Sequence, residues 1–391
     1  MSEWKETILG NEVELITGFP FKSSQYTNNE NDIKLLRGDN IVQGKLRWSD
    51  VKRWTKEDSL IDSKYSLREG DVVLAMDRPW IEAGLKYSVI SYHDLPCLLV
   101  QRVSCLRGKT SLENSFLRYI IGSSEFTNHV RAVETGTAVP HISGSQINEF
   151  PFVLPPLPEQ RAIASVLSSL DYKIDLLHRQ NKTLEALVET LFRQWFVVEA
   201  NKGWENCPLS SVANFLNGLA CQKYPPKNDL EKLPVLKIKE LSGGISESSD
   251  WASTAVKSEY VVQAGDVIFA WSASLMVKVW DGEKCILNQH LFKVTSGVFP
   301  KWFYLGWCKH HLAEFISISS SHATTMGHIK RGDLDTAIVL VPSKIELDAM
   351  SEQMIPLLDK QIAIAKQIRT LEKLRNTLLP KLMSGEVRVA Q

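Results

Sequence analysis

Pro155-Pro156-Leu157-Pro158-Glu159-Gln160, followed by Ile163, Leu167, Leu170, Ile174, Leu177, Asn181, Leu184, Val188, Leu191 and Trp195, is the stretch on which the fold turns. The prolines stop what precedes them and set a helix start near Glu159. From Ile163 the seam positions advance by alternating steps of four and three, with one polar interruption at Asn181. A stripe held this long predicts a helix lying against another helix; packing on its own globular domain is the plainer alternative. A candidate partner lies in the same chain. Met350, Met354, Leu357, Gln361, Ile364, Ile368, Leu371, Arg375, Leu378 and Leu382 repeat the stepping, and Ser384-Gly385 ends the segment.

The duplication extends outward from the helices. At an offset of 200, Trp4, Leu9, Gly18, Leu36, Ser49 and Asp50 fall on Trp204, Leu209, Gly218, Leu236, Ser249 and Asp250. At 195, Tyr65 and Gly70-Asp71-Val72 meet Tyr260 and Gly265-Asp266-Val267; at 188, Gln101 and Val103 meet Gln289 and Leu291. At 187, His141-Ile142 meet His328-Ile329, and Thr183-Leu184-Glu185 meet Thr370-Leu371-Glu372. An ordered, falling offset is what loop deletions in a second copy produce. Each copy starts with a mixed region. Strand-like runs such as 71–76 and Val261 to Ala270 alternate with turn signals, and Gly70-Asp71 and Gly265-Asp266 sit where a tight turn should feed a strand. Short helical patterns lie near 112–132 and 300–317, and closing strands lie at 147–154 and 338–341. The chain is therefore expected to be α+β, with two similar domains joined by two long helices in an antiparallel coiled coil, pseudo-two-fold symmetric. From Ile163 to Trp195 the helix would span roughly 50 Å at ~1.5 Å per residue.

Composition narrows the class without naming it. The 391 residues are 44% hydrophobic and 23% charged, ordinary for a globular protein and too many for one core. No apolar run suits a membrane span, and Met1-Ser2-Glu3-Trp4-Lys5 does not begin a secretory signal. The six cysteines are scattered without a Cys-x-x-Cys pair, which fits idle thiols in a reducing cytoplasm. His310-His311 point different ways on a helix and make a poor metal pair. Net charge is zero; residues 1–150 carry 18 basic and 20 acidic side chains, and 201–342 carry 14 and 13. Composition therefore gives no sign of a nucleic-acid binder, whose phosphate contacts usually demand a basic excess.

Catalytic signatures are missing as well. There is no Gly-x-Gly-x-x-Gly or His-Glu-x-x-His, and Val103 stands where Gly108-Lys109-Thr110 would need a glycine to be a phosphate loop. No Asn-Pro-Pro-aromatic tetrad of an amino-methyltransferase occurs. The reading moves from enzyme to binding module.

Leu154 to Gln160 opening a heptad helix that ends Leu191-Phe192-Arg193-Gln194-Trp195-Phe196 resembles the central region of type I restriction–modification specificity (S) subunits. Leu378 to Val387 resembles their C-terminal helix end. Gly136 to Ser143 and Asn288 to Val294 are similar to stretches of their target recognition domains. The resemblance implies target recognition domains at 1–154 and 201–342, with helical spacers at 155–200 and 343–391. Each recognition domain would read one half of a split double-stranded DNA target. The helices would hold the halves apart and dock two methyltransferase subunits, and restriction–translocase subunits would complete a cytoplasmic complex. No cofactor is expected in this chain; S-adenosylmethionine, ATP and magnesium would belong to the partners. The competing expectation, favoured by neutral charge, is a non-catalytic coiled-coil adaptor whose end domains bind proteins.

Gln or Asn pairs with adenine and Arg with guanine. Gln101-Arg102 and Gln289-His290, at equivalent places in the copies, are thus candidate base readers, with a shared structural role as the alternative. Arg37, Asn40, Arg78, Lys86, Lys237, Lys239 and Lys278 are loop candidates for DNA contact, each also readable as an ordinary surface residue. The expected seam is Ile163, Leu167, Leu170, Ile174, Leu177, Leu184, Val188, Leu191 and Trp195 against Ile364, Ile368, Leu371, Leu378 and Leu382. Phe192 and Phe196 are candidates for docking a partner.

Overall fold

The computed structural model describes residues 4–56, 64–136, 138–321 and 327–389. It divides into two compact units, Met1–Tyr172 with Lys373–Gln391, and Lys173–Glu372. Both contain a mixed domain and parts of the two long helices, Leu157–Arg193 and Lys344–Met383.

In the first unit a four-stranded antiparallel sheet has the order Val13–Thr17, Val103–Gly108, Val72–Ala75, Tyr87–Val89. A three-stranded sheet, Lys52–Trp54, Ile33–Leu36, Cys97–Leu99, pairs its last two strands in parallel. Lys5–Ile8 and Pro151–Leu154 close the domain as a two-stranded ladder. Val72 to Ala75 are completely buried, which explains why this strand reads as a continuous apolar run rather than an alternating one. The apolar faces of Asn114–Ile121 and Ser124–Val133 close over the sheet, burying Phe116, Ile120 and Phe126.

The second unit repeats the order of the larger sheet and the closing ladder, while its smaller sheet gains a fourth strand and the first unit's hairpin Trp80–Ile81 with Gly84–Leu85 has no counterpart among the described residues. Its counterpart of the larger sheet runs Asn214–Asn217, Leu291–Thr295, Val267–Ala270, Met276–Val279, and Glu205–Pro208 pairs with Ile338–Val341. Lys232–Leu236 and Cys285–Leu287 pair in parallel, as their counterparts do. One expectation needs correction: Val261 to Ala270 is two strands, not one. Gly265, at φ +100°, turns the chain between them, and Val261–Val262 joins the smaller sheet while Val267–Ala270 joins the larger.

The helix starts are built in parallel ways. The indole Nε1 of Trp4 donates to Glu159 (2.9 Å), and that of Trp204 donates to Glu346 (3.0 Å). Arg388 adds an ion pair to Glu159 at 3.2 Å in the first unit. Ser343 and Glu346 form a reciprocal cap at the second helix start. Gln160, wholly buried, accepts from the Glu113 backbone and donates to the Ser111 and Pro155 carbonyls.

The heptad stripe divides its work. In the first unit Ile163 and Leu167 pack with Leu378 and Leu382 inside the domain core, and Leu170 is half-buried. In the second, Ile174, Leu177 and Leu184 meet Ile364, Ile368 and Leu371 in a cluster made only of helix residues. Val188, Leu191 and Trp195 then pack on the second domain's core, joined by Met354 and Leu358. Within each unit the two helical segments are antiparallel: Glu159 meets Arg388 and Asp171 meets Arg375 in the first, and His178 meets Glu372 in the second. Helix-on-helix seam and packing on the domain thus coexist along one stripe.

Phe196 is buried in the core of the second unit, and Phe192 lies at its edge, where it lines an open cavity with Val188, Val197, Leu305 and His310. Phe192 and Phe196 are 6% and 3% exposed, 4.7 Å apart, and surrounded by Trp302, Phe303 and Trp307. Both rings serve the core of the second unit, so packing accounts for most of their apolar surface.

Candidate nucleic-acid interface

Both domains build the same backbone clamp where the larger sheet ends. Gly18 and Gly218 let two chain segments touch. A Cβ at Gly18 would lie 2.1 Å from the Val100 carbonyl oxygen, and one at Gly218 would lie 2.2 Å from that of Asn288. Next to each glycine, Gln101 N–H donates to Phe19 O (2.9 Å) and Gln289 N–H donates to Leu219 O (2.8 Å). Gln101-Arg102 and Gln289-His290 therefore occupy one structural position.

The segment leaving the second buried strand completes the clamp. Met76 N–H donates to Arg102 O, Ile142 N–H donates to Met76 O, and Arg78 N–H donates to Pro140 O. In the second domain Trp271 N–H donates to His290 O, Ile329 N–H to Trp271 O, and Ala273 N–H to Gly327 O. Arg78 and Ala273 both sit in the left-handed region, at φ 45° and 57°. The run Gly136 to Ser143 enters this clamp through Pro140, His141 and Ile142; its Thr137 lies outside the described residues.

The side chains on this frame differ. In the first domain Asp77 Oδ1 accepts from Arg102 Nη1 at 3.2 Å and meets His141 Nδ1 at 2.7 Å. Gln101, Arg102 and Arg78 are exposed, and Arg78 has no side-chain partner among the described residues. Lys86 is half-buried, and burial pushes its pKa down; Arg78 and Arg47 repel it further, while Asp39 and Asp77 act the other way. In the second domain Trp271 stacks on Phe292 (5.6 Å between centroids) and donates Nε1–H to Asn217 Oδ1 at 3.2 Å. Ser272 Oγ lies 3.1 Å from His290 Nδ1, and the Gln289 amide nitrogen lies 3.4 Å from His290 Nε2. One surface is rich in guanidinium groups; the other is aromatic and imidazole.

The remaining candidates scatter. Arg37 is half-buried and paired with Asp39 at 3.2 Å; its counterpart Lys237 is paired with Asp250. Asn40 is only 5% exposed: Oδ1 accepts the Arg37 N–H and Nδ2 donates to Arg47 O, so its amide is buried and closes a turn inside the domain. Glu240, at the equivalent place, takes the Lys237 N–H in the same way. Lys239 is exposed and donates to Ser248 Oγ, while Lys278 is half-buried against Leu241 O and 3.5 Å from Asp281. Sequence reasoning passed over Asp77, Arg47 and Trp271 and did not name His141 as a site residue. The offsets of 195 and 187 bring Met76 onto Trp271 and His141 onto His328, and would have found two of these places. Among the described residues no group of three or more His, Cys, Asp or Glu side chains is placed to hold a metal ion.

A family model described as "Type I restriction modification DNA specificity domain" matches residues 1–186 and again 201–382. The chain belongs to this family. As a specificity subunit it is the DNA-recognising component of a type I system. The MjaIX specificity subunit of Methanocaldococcus jannaschii is 26% identical over 308 residues, covering 72% of this chain and 71% of that protein. The EcoKI specificity subunit of Escherichia coli strain K12 is 25% identical over 425 aligned positions, covering 95% and 87%. A crystal structure of a type I S subunit from M. genitalium matches with a TM-score of 0.60 at 14% identity, over 97% of this chain and 96% of that one. That structure shares the fold, and the twofold family match coincides with the repeated topology. The adaptor expectation falls with this membership. Among the described residues no helix is long and apolar enough to cross a membrane.

Proposed function

We propose that this specificity subunit reads a bipartite target, one half through the clamp at residues 76–78, 101–102 and 140–142, the other through 271–273, 289–290 and 327–329. The observation that carries the reading is one backbone frame built twice with different side chains on it, exposed Arg78, Gln101 and Arg102 in one domain and half-buried Trp271, Gln289 and His290 in the other. A shared frame places side chains at one depth in a groove, and different side chains make two half-sites unlike in sequence. The neutral chain meets phosphate with local arginines and lysines, and partner subunits supply further positive charge. The long helices set the unread spacer and dock two methyltransferase subunits, to which restriction–translocase subunits are added. The chain carries no catalytic centre; S-adenosylmethionine, ATP and magnesium act in the partners, and the complex works in the cytoplasm.

The test is to replace residues 1–150 with another family member's recognition domain and sequence the methylated motif made by the reconstituted complex. One half of the motif should change while the other half and the spacer length stay. A change in both halves would mean that the domains read jointly and would defeat the proposal.

A further inference from the structure

Arginine is an unfavourable residue for left-handed backbone, because its Cβ crowds the following carbonyl; glycine takes that conformation without penalty. The first domain nevertheless holds two arginines there, Arg78 at φ 45° and Arg102 at φ 67°. The bend at Arg78 belongs to the frame, since Ala273 shares it; the guanidinium does not, because alanine fills the counterpart. The left-handed backbone at Arg102 is not shared by its counterpart His290, and strain kept there where glycine would remove it points to work done by the side chain.

What those side chains can do follows from their surroundings. The Arg102 side chain is 60% exposed, yet its guanidinium is held by Asp77, which His141 also engages from the opposite loop. Arg78 is exposed, is separated from Arg102's anchor by one peptide bond, and has no side-chain partner among the described residues. Lys86 lies within electrostatic reach of Arg78 and of Arg47, with Asp39 and Asp77 as the opposing charges around it. A guanidinium fork held by a carboxylate and backed by cations matches the paired acceptors, O6 and N7, on the major-groove edge of guanine.

We infer that Arg78 and Arg102 read guanine in the half-target of the first domain, with Asp77 and His141 positioning Arg102. The inference rests on the reading of the chain as a two-half DNA reader. The second domain, with Ala273 and His290 at the same places, reads its half without a guanidinium from this clamp.

Arg78→Gly and Arg102→Gly relieve the backbone strain, so neither should lower the melting temperature of the chain, and Arg78→Lys keeps the charge but loses the fork. Each variant, assembled with the methyltransferase subunits, is assayed by sequencing the methylated genome and by binding to duplexes substituted at single positions. The wild-type motif should contain guanine in the half assigned to residues 1–150 by domain exchange. Each variant should lose about ten- to a hundredfold of the preference for guanine at one position of that half, with the other half untouched. Arg78→Lys should relax the position as Arg78→Gly does, because one ammonium does not replace a bidentate fork. The inference is overturned if no guanine stands in that half. It is equally overturned if Arg78→Lys behaves as wild type, or if affinity falls evenly across all sequences with a shallower salt dependence, since those are the marks of phosphate contacts. A wild-type complex that methylates no two-part target sinks the broader reading itself and this inference with it, which keeps the two failures apart.

Discussion

Asp171 and Arg375 face each other in the first unit; counted along the repeat, the same two places in the second unit hold Leu358 and Val188. The first pair is an ion pair at 3.2 Å, and Arg118 Nη2 and Tyr119 OH also donate to Asp171, at 3.2 and 2.8 Å. The second pair belongs to an apolar cluster with Phe192, Phe196, Trp302 and Trp307. The domains beside these pairs share strand order, the close approach at Gly18 and Gly218, and the backbone clamp. The two copies have thus kept the main-chain frame and exchanged the side-chain chemistry, both where a domain grips its helices and on the clamp. Backbone hydrogen bonds and tight turns accept few alternatives, whereas a packed contact accepts any pair that fills the space and satisfies its polar atoms.

The comparison is most easily broken at the grip. Phe196→Ala opens a hole in an aromatic core and should cost about 3–5 kcal/mol, whereas Met383→Ala, at the equivalent but half-buried place, should cost about 1–2 kcal/mol. Urea titration of the two variants checks this, and equal losses would mean that the units hold their helices alike after all. The shared frame is tested at the glycines. Gly18→Ala and Gly218→Ala should each cost about 2–3 kcal/mol, since each methyl group runs into a carbonyl oxygen. Matching losses in thermal melts sharpen the case for one frame, and a tolerated alanine in either copy would break it. A smaller effect is expected at the ion cluster. Asp171→Asn leaves Arg118, Arg375 and Tyr119 without their shared acceptor charge and should cost about 1–2 kcal/mol, because the carboxylate is 20% exposed and partly screened. High salt should narrow the gap between wild type and variant, which calorimetry at two ionic strengths would measure.

Much of this was legible in the residues. The 4-3 stepping located both long helices, because a helix's side-chain period is local and independent of what it meets. The offsets matched Gln101 to Gln289 and His141 to His328, and the backbone clamp joins these very places. Asn40 misled, since a polar side chain in a loop reads the same whether it faces solvent or closes a turn; its burial and two internal bonds depend on Arg47, which only the folded chain brings to it. The core role of Phe192 and Phe196, off the seam, was equally illegible, because Trp302 and Trp307 reach them from far along the chain.

By itself the sequence determined the duplication, the α+β order of each copy and the family, since these rest on spacing and on motifs contiguous in the chain. The tertiary structure decided which part of one apolar stripe meets a helix and which part meets a domain, because that depends on what surface stands opposite. It also decided the clamp: Asp77, Arg102 and His141 are separated by dozens of residues, and only the strand pairing and the left-handed turns bring their side chains within hydrogen-bonding distance.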